Sequence, residues 1–372
     1  MSRRVLSILF GVVFLDLVGF GMVIPLLPLY AQRYEPPAWV FGLLMASYSA
    51  MQFAFAPILG AASDRWGRRP VLLLSLAGSV AGYTLFGLAD SLAMLFASRL
   101  VAGMAGGNIA TAQAVIADVT APEERAKGMG LIGAAFGLGF IAGPALSGLC
   151  LAVSPRLPGF AAAFFSALAW IAAFLILPET RKKGEVRRRS RLAGAREVGG
   201  LLGVAFLLVT AWAGFEVTFA QLLHARFALE ASQVAWLFAY VGVLGVLVQG
   251  VLVRRLPPRW PAKSLAKVGL AFTAGGLLLV VGARSLPVLV AMLPVLALGQ
   301  GLANPSLSAW VSQRAAAGHQ GEALGAFQGA GSLARIVGPF LGEMAWGHLG
   351  PWAPGVGGAT LVFLALLWAF LL

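Results

Sequence analysis

The chain has 372 residues, of which 59% are hydrophobic and only 11% charged, and it carries a net charge of +13. A soluble domain has roughly 25% charged residues. Long soluble chains divide into domains with polar surfaces, so these figures exclude a soluble globular protein and point to lipid as the solvent. A single cysteine, Cys150, excludes an internal disulfide, and three isolated histidines, His224, His319 and His348, give no metal-ligand spacing.

A helix needs about 20 apolar residues to cross a bilayer. Twelve such spans are predicted. The first, 5–30, follows a short polar start and contains LDLVGFGMVIPLLPLY, with the carboxylate Asp16 inside it. Asp16 interrupts the apolar run and no small-residue cleavage site precedes the next span, so the segment reads as a retained span rather than a signal peptide. Span two, 40–62, holds Gln52 and runs into GAASDRWGRRP, Gly60 to Pro70. Span three is 70–88. Span four, 92–117, holds Arg99 and Asn108 and ends at Asp118. Span five, 128–151, contains Gly133, Gly137, Gly139, Gly143, Pro144 and Gly148. Such small residues let helices approach closely. Span six is 160–178, and a basic linker, 179–198, follows it.

The second half repeats the scheme. Span seven, 199–221, carries Trp212, Phe215 and Glu216; span eight is 232–253 and span nine 264–283. Span ten, 287–313, carries Asn304, and span eleven, 322–346, carries Arg335 and Glu343. Span twelve is 352–372. The expected fold is thus all-α, with twelve transmembrane helices in two pseudo-symmetric six-helix bundles, 1–178 and 199–372.

Charge placement orients the chain. Loops on the side of the N-terminus hold 21 of the 27 basic residues, opposite loops hold four, and Arg99 and Arg335 remain inside spans. The positive-inside rule puts the N-terminus in the cytoplasm, as expected of a multi-pass protein of the cell (inner) membrane. The basic linker reads as a solvated, lipid-facing segment, and no nucleic-acid partner is expected.

Internal echoes support the two halves. GFIAGP (Gly139 to Pro144) returns as ARIVGP (Ala334 to Pro339), and GMAGGN (Gly103 to Asn108) returns as GQGLAN (Gly299 to Asn304). Gly60 before a basic turn has a counterpart in Gly250. Parallel repeats about an axis along the membrane normal are an architecture of secondary transporters, with the site at midplane between the halves. Asn108 and Asn304 are the only asparagines. They read either as polar glue between helices or as hydrogen-bonding groups facing a central cavity.

The loop GAASDRWGRRP resembles the signature of the major facilitator superfamily, with Ala62 where leucine is common. LDLVGFGMVIPLLP, RLVAG (Arg99 to Gly103), GFIAGPALSG and HQGEALGAFQGAGSLARIVGP extend the resemblance over the whole chain, to its drug:proton antiporter branch, the tetracycline and multidrug exporters. The resemblance implies a cytoplasmic gate built from Gly60, Asp64, Arg65, Gly67, Arg68, Arg69 and Asp118. There Asp64 meets span eleven when that side is shut, and Arg68 pairs with Asp118. It also implies an antiporter helix marked by Gly139, Gly143, Pro144 and Gly148, and a part for Arg99 in proton transfer.

Away from the span ends, where Lys267 and Glu322 stand, five charged residues fall within spans: Asp16, Arg99, Glu216, Arg335 and Glu343. Each costs at least ~2.5–3.5 kcal/mol to insert, which makes each a functional candidate. At 1.5 Å per residue, Asp16 lies roughly 18 Å beyond Arg4 and Arg335 roughly 20 Å beyond Glu322, both near the midplane. Glu216 and Glu343 fall about 26 and about 31 Å along their spans, and Glu343 is expected to be wet. Arg99 lies roughly 10 Å higher than Asp16, so a direct pair would need the arginine to reach down or a water between them. A carboxylate in low dielectric holds its proton more tightly, and a nearby cation opposes this. Asp16 is therefore the candidate proton-coupling residue, with a structural partnership to Arg335 as the alternative.

One departure from the tetracycline exporters concerns substrate. They resemble this chain in span one but carry further acids in spans three and nine, where 70–88 and 264–283 have none. The cavity residues expected are Gln52, Asn108, Trp212, Phe215, Glu216, Asn304 and Arg335. The expected activity is proton-driven export of drugs or other amphiphilic small molecules, with no cofactor, no metal and a monomeric state. The alternatives are a symporter or facilitator importing a sugar or organic anion, a membrane-embedded enzyme, for which no clustered acid, base or metal set exists, and a non-transporting receptor.

Overall fold

In a computed structural model the chain is described over residues 2–120, 125–180, 198–248, 260–315 and 320–372. Most of the linker 179–198, with its basic run from Arg181 to Arg196, lies outside the described residues, as do Gly250, Arg254, Arg255, Arg259 and His319. The described residues form helices joined by short turns. They are α1 (Ser2–Val23), α2 (Leu27–Gln32), α3 (Ala38–Trp66), α4 (Arg68–Leu88), α5 (Leu92–Ala105), α6 (Asn108–Val119), α7 (Arg125–Leu151) and α8 (Leu157–Ile176) in the first half. The second half has α9 (Gly199–Phe227), α10 (Ala231–Leu247), α11 (Ala262–Gly282), α12 (Leu286–Arg314), α13 (Gln320–Leu349) and α14 (Ala353–Leu371).

Among the described residues, ten segments are long and apolar enough to cross a membrane. The other two expected spans coincide with α10, which is shorter, and α13, which carries Glu322, Gln328, Arg335 and Glu343. The chain is a multi-pass membrane protein. Its many exposed large apolar side chains, such as Ile58, Leu74, Phe164, Leu175 and Phe363, suit hydrocarbon as a solvent.

Two predicted spans are not continuous. Span one breaks at 24–26 between α1 and α2. Pro25 has no N–H to give to the helix ladder and its ring crowds the preceding turn. Span four breaks at Gly106 and Gly107, the C-cap of α5 and the N-cap of α6. Adjacent glycines cost helix stability, roughly 1 kcal/mol each, and here they let the chain turn. The Gly106 carbonyl freed at the break accepts a hydrogen bond from Gln52 Nε2 at 2.9 Å, which meets the requirement that backbone polar groups in lipid be satisfied internally.

The chain divides into two compact units. One comprises Met1–Pro36, Ser47–Val186 and Glu230–Gly242; the other comprises Pro37–Ala46, Arg187–Leu229 and Val243–Leu372. In the first unit α1 is central, packed on α7 and α8, while α4 packs on α5 and α8. The second unit uses the same pairs: α9 on α13 and α14, and α11 on α12 and α14. The core of the first unit joins Val5, Leu9, Val12, Val13 and Leu17 of α1 to Leu72 and Leu76 of α4, Val115 and Ile116 of α6, and Ala169 and Ala173 of α8.

Glycines set two equivalent close crossings. A Cβ on Gly21 of α1 would sit 2.7 Å from the Gly139 carbonyl oxygen of α7, and one on Gly143 would sit 2.7 Å from the Val18 carbonyl oxygen. In the second unit a Cβ on Gly214 of α9 would sit 2.7 Å from the Gly338 carbonyl oxygen of α13, and one on Gly342 would sit 2.6 Å from that of Gly214. Real Cβ atoms do not come this close, so each crossing admits only glycine without a backbone shift.

Candidate functional site

Asp16 is 5% exposed, at the middle of the first unit. Its Oδ1 accepts a hydrogen bond from Ser166 Oγ of α8 at 2.7 Å, and its Oδ2 accepts one from Asn108 Nδ2 of α6. Ser79 of α4 is a third hydrogen-bonding neighbour. Asn108 stands first in α6, immediately after the glycine break, so the break in span four delivers the amide to the carboxylate. All three partners are neutral. Among the described residues no ion pair forms on Asp16. Amides and hydroxyls can serve both protonation states of a carboxyl, because each can donate or accept.

Arg99 is 2% exposed. Its Nε donates to Ser98 Oγ at 3.3 Å, and its guanidinium lies over the rings of Phe86 and Tyr83, 5.4 and 6.0 Å from their centroids. One terminal nitrogen, Nη2, has no hydrogen-bond partner among the described residues. Tyr83 is within electrostatic reach of both Asp16 and Arg99. The two charges predicted to cooperate thus share an aromatic neighbour.

The expected loop between α3 and α4 is helical except for Gly67, and its residues form a charge cluster. Arg68, 6% exposed, pairs through Nη1 with Asp64 at 2.6 Å and through Nε with Asp118 at 2.9 Å. Nη1 also donates to Ser63 Oγ at 2.7 Å. Gly67 has φ +111°, a conformation that L side chains rarely adopt, and a Cβ there would strike the Glu179 carboxylate. That carboxylate accepts the backbone N–H groups of Arg68 at 2.9 Å and Arg69 at 3.1 Å. It therefore caps the N-terminus of α4, where negative charge is favoured. Arg69 donates to the Phe174 carbonyl at 2.5 Å and lies over the Phe174 ring. Gly60 has open space where a Cβ would go, and Arg65 is exposed.

The remaining predicted residues are scattered. Gln52 is half-buried and engaged with the Gly106 backbone, and Asn108 is held by Asp16. Phe215 is 4% exposed and packs between Trp212 and Phe219. Glu216 is half-buried, within electrostatic reach of Arg335, whose exposed guanidinium donates to Ser332 Oγ at 3.4 Å. Asn304 is exposed, so the two asparagines sit in unlike surroundings. Glu343 differs from expectation: it is 2% exposed rather than wet. Gln221 of α9 covers it, donating to Oε1 at 2.5 Å. In α7, Gly139 and Gly143 serve the crossing with α1, Pro144 lies within the helix, and a Cβ on Gly148 would meet the Trp236 indole.

Four contributors went unread in the sequence: Ser79, Ser166, Gln221 and Glu179. The first three are neutral and polar inside spans, where a search for charge passes over them. Glu179 stands just after span six, and only the fold carries it to the start of α4.

A model of the Major Facilitator Superfamily matches residues 9–339. The tetracycline resistance protein of class D from Salmonella ordonez is 36% identical over 343 residues, covering 88% of this chain and 86% of that protein. Human major facilitator superfamily domain-containing protein 10 is 30% identical over 400 residues, covering 91% of this chain and 87% of that protein. The crystal structure of the human organic anion transporter MFSD10 (TETRAN) superposes with a TM-score of 0.75 at 29% identity, covering 99% of each chain. A bacterial homologue of the lysosomal transporter Spinster, in an inward-facing and occupied conformation, gives a TM-score of 0.82 at 16% identity, covering 99% of this chain and 96% of that one, which shows likeness of fold. The buried carboxylate, the charged loop and the paired half-bundles belong to a membrane transporter rather than an enzyme, and the chain is a member of the Major Facilitator Superfamily.

Proposed function

We propose that the protein is a proton-coupled antiporter that exports drugs or other amphiphilic small molecules by alternating access, driven by the proton gradient without a cofactor. It works as a monomer in the cell membrane with its N-terminus in the cytoplasm. Its two six-helix bundles, 1–178 and 199–372, are joined by the basic linker 179–198. Similarity to tetracycline resistance proteins of several classes, at 29–36% identity, supports drug export, with tetracycline-like compounds among the substrates to test first.

The observation that carries the proton step is Asp16, buried among Ser166 and Asn108 with no paired cation among the described residues. Ionised, it accepts from both. Protonated, it donates one bond itself, and the Ser166 hydroxyl or the Asn108 amide turns to accept it. The site thus keeps its hydrogen bonds in either state, and the difference between states is one unit of charge in low dielectric. Arg68, with Asp64 and Asp118, forms the cytoplasmic latch. It must break at each turn of the cycle, so its contribution is limited to a few kcal/mol, or the alternate state would be emptied.

Carriage of an organic anion is the second reading. It draws on the similarity to MFSD10 and on the exposed Arg335 guanidinium. A susceptibility panel in an efflux-deficient host separates the two. Drug export predicts that the wild-type chain raises resistance to a set of amphiphilic compounds and that Asp16→Asn abolishes it. Unchanged resistance with both chains would remove the export reading.

A further inference from the structure

Two carboxylates of this protein are both deeply buried and free of an ion pair among the described residues: Asp16, 5% exposed, and Glu343, 2% exposed. Each is hydrogen-bonded to a side-chain amide from another helix of its own unit, Asp16 to Asn108 and Glu343 to Gln221. The acids around the start of α4 are matched differently. Asp64 and Asp118 pair with Arg68, and Glu179 holds backbone N–H groups at the start of α4. A permanent charge in low dielectric needs a counter-charge or several donors. A neutral amide is the partner that suits a group whose charge changes, because it donates to the carboxylate and, turned over, accepts from the acid.

Both acids stand beside the glycine crossing of their own unit, on opposite members of the helix pair. Asp16 lies on α1, which crosses α7 at Gly21, Gly139 and Gly143; Glu343 lies on α13, which crosses α9 at Gly214, Gly338 and Gly342. These are the equivalent helix pairs of the two units. Glu343 follows the glycine contact directly, so the tight crossing brings Gln221 of α9 against it. The charged and titratable residues on the elements packed against the helix of Glu343 are Glu216, His224 and Arg226 on α9 and Arg314 on α12, with none on α14 or on 38–46 of α3, which also touches α13 at Phe340 and Gly347. Its own helix carries Glu322, Arg335 and His348. Gln221 is the one side chain among the described residues that bonds to it.

We propose that Glu343 is a second proton-binding carboxylate, in the second unit, which takes up and gives back one proton in each transport cycle with Gln221 turning from donor to acceptor. The proton comes from water and returns to water; no other bond changes. This rests on the proton-coupled reading above and extends it to two protons per substrate.

Infrared difference spectroscopy between acid and neutral pH tests the site without a substrate. In purified Asp16→Asn protein, the carboxyl carbonyl absorption lost between acid and neutral pH should contain a component from Glu343 beside those of the other acids, and that component should be absent from the Asp16→Asn, Glu343→Gln double variant. In Gln221→Leu that component should persist at a shifted midpoint. If Glu343→Gln does not accumulate, Glu343→Asp keeps a carboxyl one methylene shorter and should move that component. Spectra that are the same with and without the Glu343 change overturn the proposal, as does a Glu343 band that is constant with pH. In proteoliposomes, Glu343→Gln should halve the protons moved per substrate, and an unchanged ratio overturns the cycle role. Spectra that change on Glu343→Gln while Asp16→Asn still exports would count against the proton-coupled reading and leave the Glu343 site standing.

Discussion

The Arg68 latch allows the most explicit energetic prediction. Asp64 and Asp118 both pair with the same guanidinium, at 2.6 and 2.9 Å, but their side chains are 57% and 22% exposed. Exposed pairs are worth about 0.2–1 kcal/mol, whereas removing one partner of a buried pair costs about 3–5 kcal/mol, because it strands a charge out of water. Asp64→Asn should therefore cost under ~1 kcal/mol. Asp118→Asn leaves a buried guanidinium with only the solvated Asp64 and the Ser63 hydroxyl, and should cost about 2–3 kcal/mol, below the fully buried limit because Asp118 is partly solvated. Reversible unfolding of the purified variants in mixed detergent, followed by tryptophan fluorescence, reads both values. The order matters more than the size. Equal losses, or a larger loss for Asp64→Asn, would mean that Asp118 does not anchor Arg68 and that the reasoning from burial is wrong.

Other consequences follow from the same geometry. Glu179→Ala removes the carboxylate that caps α4 and should destabilise the protein by about 1 kcal/mol, read in the same unfolding assay, while Glu179→Gln should keep part of the loss in hand. Gly143→Val places a side chain where the α1 backbone already stands and should sharply lower the yield of folded protein, whereas Gly60→Ala, with open space at the Cβ, should leave yield and unfolding unchanged. Asn108→Ala should impair export far more than Asn304→Ala, since only Asn108 bonds to Asp16; equal effects would argue for symmetric roles in substrate contact.

Much of the architecture was legible because lipid imposes a simple rule on sequence. Apolar runs of fixed length gave the spans, and the loops between them sorted the basic residues. The interruptions in spans one and four were not anticipated, although their signals were present in Pro25 and in Gly106–Gly107. A hydropathy reading averages over such residues, while the helix ladder responds to each one. Asp16 stood out because a carboxylate in an apolar run is conspicuous. Its partner Ser166 did not, because a serine in a span is common and only the packing of α8 on α1 makes it a ligand of the acid. Glu343 was placed near water by counting residues along a helix. Counting gives depth but not direction, and the glycine crossing with α9 turns that side chain into the protein against Gln221. Glu179 was out of reach for the same reason: it is 111 residues from Arg68.

The central claim is that protonation of Asp16 drives export. Its most direct test is substrate movement in proteoliposomes under an imposed pH gradient, with wild-type and Asp16→Asn protein compared at equal reconstitution. The account predicts gradient-driven accumulation with the wild type and none with Asp16→Asn, while the variant still exchanges labelled for unlabelled substrate when no gradient is present. Undiminished gradient-driven accumulation by Asp16→Asn would contradict it.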